Sequence, residues 1–301
     1  VISNTHSGDL EMSFRTSLES GKFVVTAEVG PPKGTDVSVM LEDAEGFNGS
    51  VDAVNVTDIQ SSVMRLGSLV CCNLLKDRGI EPIFQMTCRD RNRLALQSDL
   101  LSASVLGIEN VLALTGDHVS LGDHPNAVPV FDLDSVQLLK LIQTLEDGHD
   151  MAGNDLAGAP KFFPGAVVNP GAEPLEPQLF KMEMKIEAGA RFIQTQGIFD
   201  LGVFERFMQH VASLNVPVMA GIIMLKSAGM ARFMNANVAG VSVPADLIRE
   251  MSRSKNRVRT SIEIAARLIN GLKDLCQGVH LMPIGWEKHV PAVLEAAMLK
   301  N

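Results

Sequence analysis

Eight short apolar runs rich in β-branched residues, separated by stretches of helical periodicity, restrict the fold of this chain more than any other feature. They are Phe23–Val29, Val51–Thr57, Pro82–Thr87, Asn110–Gly116, Phe162–Asn169, Phe192–Gly197, Pro217–Ile223 and Gly278–Pro283. Most are continuous rather than alternating, as strands are when both faces of a sheet are covered. The intervening segments Ser62–Arg78, Asp134–Gly148, Gln178–Ala188 and Leu201–Leu214 repeat apolar positions near a 3.6-residue period. Strands alternating with helices in this way are parallel and joined by crossovers. Eight such units, ending in a helix over Glu287–Leu299, favour closure over the alternative of a doubly wound open sheet. The expected fold is therefore α/β, a (β/α)8 TIM barrel. The connections Asp117–Pro160 and Lys226–Gln277 are the long ones and predict helical insertions after strands 4 and 7, the second including Asn256–Leu275. With no domain linker or low-complexity tract in view, residues 1–301 are read as a single domain.

Composition narrows the function. Lys plus Arg number 26 against 35 Asp plus Glu, a net charge of −9, which disfavours binding to nucleic acid or to an anionic membrane surface. The longest apolar runs, such as Val216–Leu225, fall well short of the roughly 20 residues that span a bilayer. The beginning of the chain shows no secretory pattern, so the expectation is a cytoplasmic protein. The four cysteines, Cys71, Cys72, Cys88 and Cys276, form no CxxC pair and read as reduced core thiols.

In a barrel of this kind reactive groups gather at the C-terminal ends of the strands. The first strand ends Thr26-Ala27-Glu28-Val29-Gly30-Pro31-Pro32 and sets a carboxyl group inside an apolar run. Burial favours the protonated form of such a group, the form a general acid needs. The structural alternative for Glu28 is a barrel carboxylate paired with a basic residue. Polar groups also close the second strand (Asn55, Thr57, Asp58), the third (Gln85, Thr87, Arg89) and the fourth (Leu114-Thr115-Gly116-Asp117-His118). Gly116 would let backbone approach a flat or phosphorylated ligand, while Asp117 would accept from an N–H group or merely cap a helix. In the sixth strand, alternation turns Gln194 and Gln196 the same way, toward the interior; their amides suit a heterocycle edge or only the neighbouring backbone. Lys185 is a candidate phosphate ligand or a solvated lysine. Asp117, His118, Asp123 and His124 crowd one loop without a metal-ligand spacing, so no metal is expected. Met224, Met230 and Met234 read as core or pocket lining.

Taken in order, AEVGPP with Glu28, NVTD with Thr57, QMTC with Gln85, LTGD with Asp117, KIEAGARFIQTQ with Lys185 and Gln196, the late GIIM and the closing GVHLMPIGW resemble the methylenetetrahydrofolate reductase family. The resemblance runs along nearly the whole chain. It implies a flavin-bearing barrel that reduces 5,10-methylenetetrahydrofolate to 5-methyltetrahydrofolate. By that resemblance Glu28 protonates N10 and opens the five-membered ring, reduced flavin N5 delivers hydride to the exocyclic carbon, and Asp117 tunes the flavin and holds the folate. Gln196, Met230 and Phe233 fall at folate-binding positions. Thr57, Gln85, Leu114, Thr115, Gly116 and Asp117 match flavin contacts, and Lys185 matches a residue near the flavin's phosphate-bearing tail.

Departures from the NADH-using bacterial pattern carry their own implications. Met230 stands in place of a glutamine, Gln85 in place of a histidine, and Gln178 in place of the Asp that contacts the adenosine ribose. These point to FMN as readily as FAD, and to loss of direct NADH use. The segment GDHPNAVPVFDLDS is similar to the short reductases of anaerobes that use the Wood–Ljungdahl pathway, which implies a metal-containing partner subunit as electron donor. Self-association of the barrel is left open. Two other readings compete: a non-catalytic folate- or flavin-binding accessory subunit, and a flavin-independent reductase using NAD(P)H directly.

Overall fold

The computed structural model describes residues 13–299. The start of the chain, where a secretory pattern was sought, and the outer limits of the 1–301 domain lie outside these residues. Strands β1 (Val24–Val29), β2 (Ala53–Val56), β3 (Pro82–Thr87), β4 (Asn110–Leu114), β5 (Phe163–Val168), β6 (Phe192–Gly197), β7 (Val218–Ile223) and β8 (Gly278–Met282) form one closed parallel barrel in sequential order. Closure is made by β1 against β8, with Thr26 opposite His280. The fold is the expected (β/α)8 barrel.

Helix α1 (Phe14–Glu19) precedes β1, and α2 (Ser38–Gly46) through α7 follow β1 to β6 in turn: α3 (Ser68–Lys76), α4 (Arg93–Val105), α5 (Ser135–Glu146), α6 (Glu176–Glu187) and α7 (Leu201–Val211). The expected insertion after β7 consists of α8 (Ala228–Asn237), α9 (Ala245–Arg253) and α10 (Arg257–Leu272), and α11 (Val290–Ala296) follows β8. The long connection after β4 holds only a 3-10 turn, Val119–Leu121, ahead of α5. Helix α5 starts at a capping box in which Asp134 accepts from Gln137 N and the Gln137 side chain accepts from Asp134 N.

Each strand turns alternate side chains outward and inward. The outward set, including Val25, Ala27, Val54, Phe84, Val111, Ile193, Ala220 and Leu281, belongs to the main core against the helices. The inward set begins as a separate apolar layer of Val24, Ala53, Ile83, Leu112, Phe163, Phe192 and Met219. Helix α1 plugs this end, with the Phe14 ring edge-on to Phe192 at 5.1 Å and to Phe163 at 5.9 Å. Gly165 is what admits the Phe192 ring, since a Cβ there would lie 2.2 Å from it. Toward the C-terminal ends the interior becomes polar, which makes room for a site.

Several local expectations need correction. The helix expected from Ser62 begins at Ser68, because Ile59, Ser61 and Ser62 hold positive φ and Gln60–Ser62 forms a 3-10 turn. The second strand starts at Ala53 rather than Val51; Asp52 turns its carboxylate onto Val25 N at 2.8 Å instead. Helix 287–299 is a 3-10 turn followed by α11. Asp117 caps nothing: the cap of the following 3-10 turn is His118.

Candidate active site

A cavity of about 440 Å³ opens at the C-terminal end of the barrel, within the range of about 300–1,000 Å³ of small-molecule sites. Its wall takes Glu28 from β1, Gln85 and Thr87 from β3, Leu114-Thr115-Gly116-Asp117 from the end of β4, Lys185 from α6, Gln194 and Gln196 from β6, and His280 from β8. A larger groove, about 640 Å³, lies outside the barrel between α4 and the residues after α5. Its wall is aliphatic apart from Gln97, Ser98, Ser102 and Asp150. Reactive groups gather at the strand ends, not in that groove.

Glu28 is buried, with Gln60 Nε2 donating to Oε1 at 3.3 Å and His280 Nε2 lying 3.6 Å from Oε2. The expected basic partner of the structural alternative is thus a histidine. One layer deeper, Thr26, Asn55, Gln194 and His280 form a buried polar network. Gln194 faces the interior as expected. A register shift between Gln194 and Gly197 breaks the simple alternation, and the Gln196 Oε1 accepts from Gly197 N at 2.9 Å. Gln196 still lines the cavity, so both of its expected uses are compatible with its position.

The mouth loops are fastened by buried charge. Asp58 accepts from the Thr87 amide and hydroxyl and from both terminal nitrogens of Arg91. Arg89, 1% exposed, donates to Ile59 O, Ser62 Oγ and Asp117 O and pairs with Asp90. This guanidinium ties the loop after β2 to the loop after β4, and so sets Gln60 against Glu28 and Asp117 at the rim. Gly116 has φ +93°, and a Cβ there would meet the Thr87 and Arg89 Cβ atoms at 3.1 Å. Only glycine suits that turn.

At the other side of the cavity stand Lys181 and Lys185, one helical turn apart on α6, with Gln178. Lys185 is not a solvated lysine: it is buried and its Nζ donates to Val167 O at 2.7 Å. Burial, reinforced by the Lys181 charge and opposed by Asp134, pulls its pKa down to about 8. The cavity therefore has a carboxyl–imidazole side and a cationic side.

Thr57 is buried beside this wall but not part of it, and its Oγ1 finds no hydrogen-bond partner in the protein. Met230 and Phe233 are not brought to the cavity. The Met230 sulfur faces Lys226 N at 3.5 Å, and Phe233 is exposed on α8, whose start Ser227 fixes by accepting from Met230 N. Met224 and Met234 are core, as expected. Among the described residues no His, Cys, Asp or Glu cluster suits a metal. Asp123 is instead bonded to Lys33, Met64 N and His124, and His118 to Ser120. The cysteines are all free and buried, with thiols pushed up by burial, Cys88 to about 12.

His280 escaped sequence reasoning, although a lone histidine inside the apolar run Gly278–Met282 was the available signal. Lys181 had a signal too, its i,i+4 spacing from Lys185. Gln60 had none, because only the tertiary course of its loop brings it to Glu28.

The fold and site define an α/β barrel with a polar small-molecule cavity at its C-terminal face. Residues 13–298 match the model of the family described as methylenetetrahydrofolate reductase, and the chain belongs to that family. It is 25% identical over 232 residues to methylenetetrahydrofolate reductase 2 of Schizosaccharomyces pombe, covering 72% of this chain and 35% of that protein. It is 22% identical over 255 residues to a probable methylenetetrahydrofolate reductase (NADPH) of Caenorhabditis elegans, with 81% and 36% covered. The 5,10-methylenetetrahydrofolate reductase of Pectobacterium carotovorum is 26% identical over 208 residues, with 67% and 64% covered. The chain thus spans about a third of the length of the first two relatives. Among solved structures, a 2,3-dimethylmalate lyase of the PEP mutase/isocitrate lyase superfamily superposes with a TM-score of 0.53 at 13% identity, covering 96% of this chain and 83% of the other. That likeness is one of fold alone.

Proposed function

We propose that this chain reduces 5,10-methylenetetrahydrofolate to 5-methyltetrahydrofolate, with Glu28 as the general acid and a flavin held in the barrel mouth. The observation that carries the reading is the buried Glu28 carboxyl group in a family member's cavity, opposite a cationic wall. The flavin fits the residues present on one count, the Lys181–Lys185 wall, which suits a phosphate; the unpartnered Thr57 hydroxyl lies buried behind the cavity wall. Gln85, Leu114, Thr115, Gly116, Asp117 and Lys185 on the cavity wall would hold it, with Thr57 just behind them. When bound and reduced, it supplies hydride to the methylene carbon.

The residues of the chain supply the rest. Glu28 gives its proton to N10 of the folate, the bond between N10 and the bridging carbon breaks, and that carbon becomes an electrophile. The Gln60 amide, on one carboxyl oxygen, limits rotation of the acid. Gln196 offers its amide to the pterin edge, and Asp117 at the rim orients the folate. Met230 and Phe233 contribute from α8 only if that helix shifts on binding. The whole is one flavoprotein domain over residues 1–301, FMN or FAD being the cofactor.

The electron donor in this reading is a metal-containing partner subunit, as in the short Wood–Ljungdahl reductases, and the compartment is the cytoplasm. No helix among the described residues is long and apolar enough to cross a membrane. The deciding experiment is mass and absorbance analysis of the cofactor released from native protein, followed by turnover of methylenetetrahydrofolate with reduced viologen as donor. A protein that neither carries nor binds flavin removes the flavin mechanism and favours direct NAD(P)H transfer. A flavin-loaded chain inert toward the folate favours the accessory-subunit reading.

A further inference from the structure

The Glu28 carboxyl group leans on a histidine whose neutral tautomer is set by its neighbours. We infer that His280 is a positioning residue for Glu28: it holds an Nε2–H toward Oε2 and stabilises the carboxylate left when the acid has given up its proton. The inference rests on the reading of Glu28 as the acid of folate reduction.

The amides of Asn55 and Gln194 pair with each other, Asn55 Nδ2 donating to Gln194 Oε1 at 3.0 Å and Gln194 Nε2 donating to Asn55 Oδ1 at 3.3 Å. In that pairing Gln194 also aims Nε2 at Thr26 Oγ1, 3.3 Å away. A threonine hydroxyl that accepts from an amide keeps its one proton to donate. The His280 Nδ1 lies 2.9 Å from that hydroxyl. Among the described residues Nδ1 is the one acceptor within reach of that buried hydroxyl proton, so Nδ1 accepts it, and a neutral imidazole then carries its proton on Nε2. Nε2 is the atom that faces Glu28 Oε2 at 3.6 Å.

That distance exceeds hydrogen-bond length, and contacts of catalytic groups are often long before substrate binds. When the Glu28 O–H bond breaks and N10–H forms, negative charge appears on a carboxyl group that is only 7% exposed. Unpaired charge in such a place is costly. A fixed N–H beside Oε2 lowers that cost without reorganisation at the moment of transfer. His280 keeps its own proton throughout. The other charged groups of the wall nearest this layer, Asp58 and Arg89, are already paired with Arg91 and Asp90.

The test compares His280→Leu, His280→Gln and His280→Asn in the full chain loaded with flavin, reading single-turnover oxidation of the reduced protein by methylenetetrahydrofolate. Loss of a supporting partner costs about 10 to 100-fold, and that is the effect expected for His280→Leu, with flavin reduction by an artificial donor unchanged. Glutamine places an N–H where Nε2 was and restores most of the rate. Asparagine reaches only the Nδ1 position, keeps the Thr26 bond and does not restore it. In a Glu28→Gln background His280→Leu costs nothing further, because the two act as a unit. Rescue by asparagine and not glutamine overturns the inference, as does a full additional loss in the Glu28→Gln background. Should the leucine variant fail to fold, the glutamine and asparagine pair still decides. Imidazole ¹⁵N shifts of the flavin-free wild type give an independent readout: protonated Nε2 is expected, and protonated Nδ1 overturns the inference. A wild type that turns over no folate with any donor refutes the proposed function instead, a result distinct from either.

Discussion

The Lys185 ammonium group donates to the Val167 carbonyl oxygen at 2.7 Å, which turns it away from bulk water and onto the wall of the barrel cavity. Burial lowers its pKa from 10.5 to about 8. Between those two values the unfolded chain binds a proton that the folded chain has released, so stability rises with pH through this window and the burial penalty is largest below pH 8. Urea unfolding of the flavin-free chain should therefore show Lys185→Met gaining on wild type at pH 7, relative to its standing at pH 10.5. A difference that stays flat with pH would show that this lysine is not desolvated. The same variant should weaken flavin binding, read by fluorescence titration, if the cationic wall holds a phosphate.

Glu28→Gln keeps the shape of the side chain and its contact with Gln60 but has no acidic proton to give. Removing a general acid costs about 10²–10⁴ in rate. Folate reduction in stopped flow should fall by that order, while flavin binding and its reduction by an artificial donor stay as in wild type. A near wild-type folate rate would remove Glu28 from the mechanism.

Gly116→Ala puts a methyl group 3.1 Å from the Thr87 and Arg89 Cβ atoms at a φ of +93°. Strain of this kind costs about 1–3 kcal/mol, to be measured by urea denaturation. Gly34→Ala, with open space around the new Cβ and no positive φ, should change stability by less than about 0.5 kcal/mol. Equal behaviour of the two would mean that the loop after β4 relaxes freely, against the tie that Arg89 makes to Asp117 O.

Phe14→Ala empties the plug at the N-terminal end of the barrel, where the ring meets Phe163 and Phe192. A buried Phe→Ala change costs about 3–5 kcal/mol. The loss should appear in the denaturation midpoint. Because this end is remote from the cavity, the rate of folate reduction by the folded fraction should not change.

The eight strands, the insertion after β7 and the placement of Glu28 at a strand end were all legible in the chain, because apolar runs and helical periods are local properties. Gly116 was legible as a glycine at a strand end, while its positive φ and its packing against Thr87 and Arg89 were not. Loop structure was less legible. The helix expected from Ser62 starts at Ser68, and Arg89 holds Ile59 and Ser62 in the preceding turn from its place beyond the end of β3.

By itself the sequence determined the order of strands and helices, the barrel they close into, the family, and the place of the Glu28 carboxyl group at a strand end. The tertiary structure alone decided which polar groups meet that acid. Thr26 and His280 are 254 positions apart in the chain, and they touch because β1 pairs with β8 when the barrel closes. Closure also brings inward side chains of different strands together, which joins Gln194 and Asn55 to Thr26 and turns the imidazole toward Glu28. No local period encodes such a contact, because its partners are chosen by strand register around the whole ring.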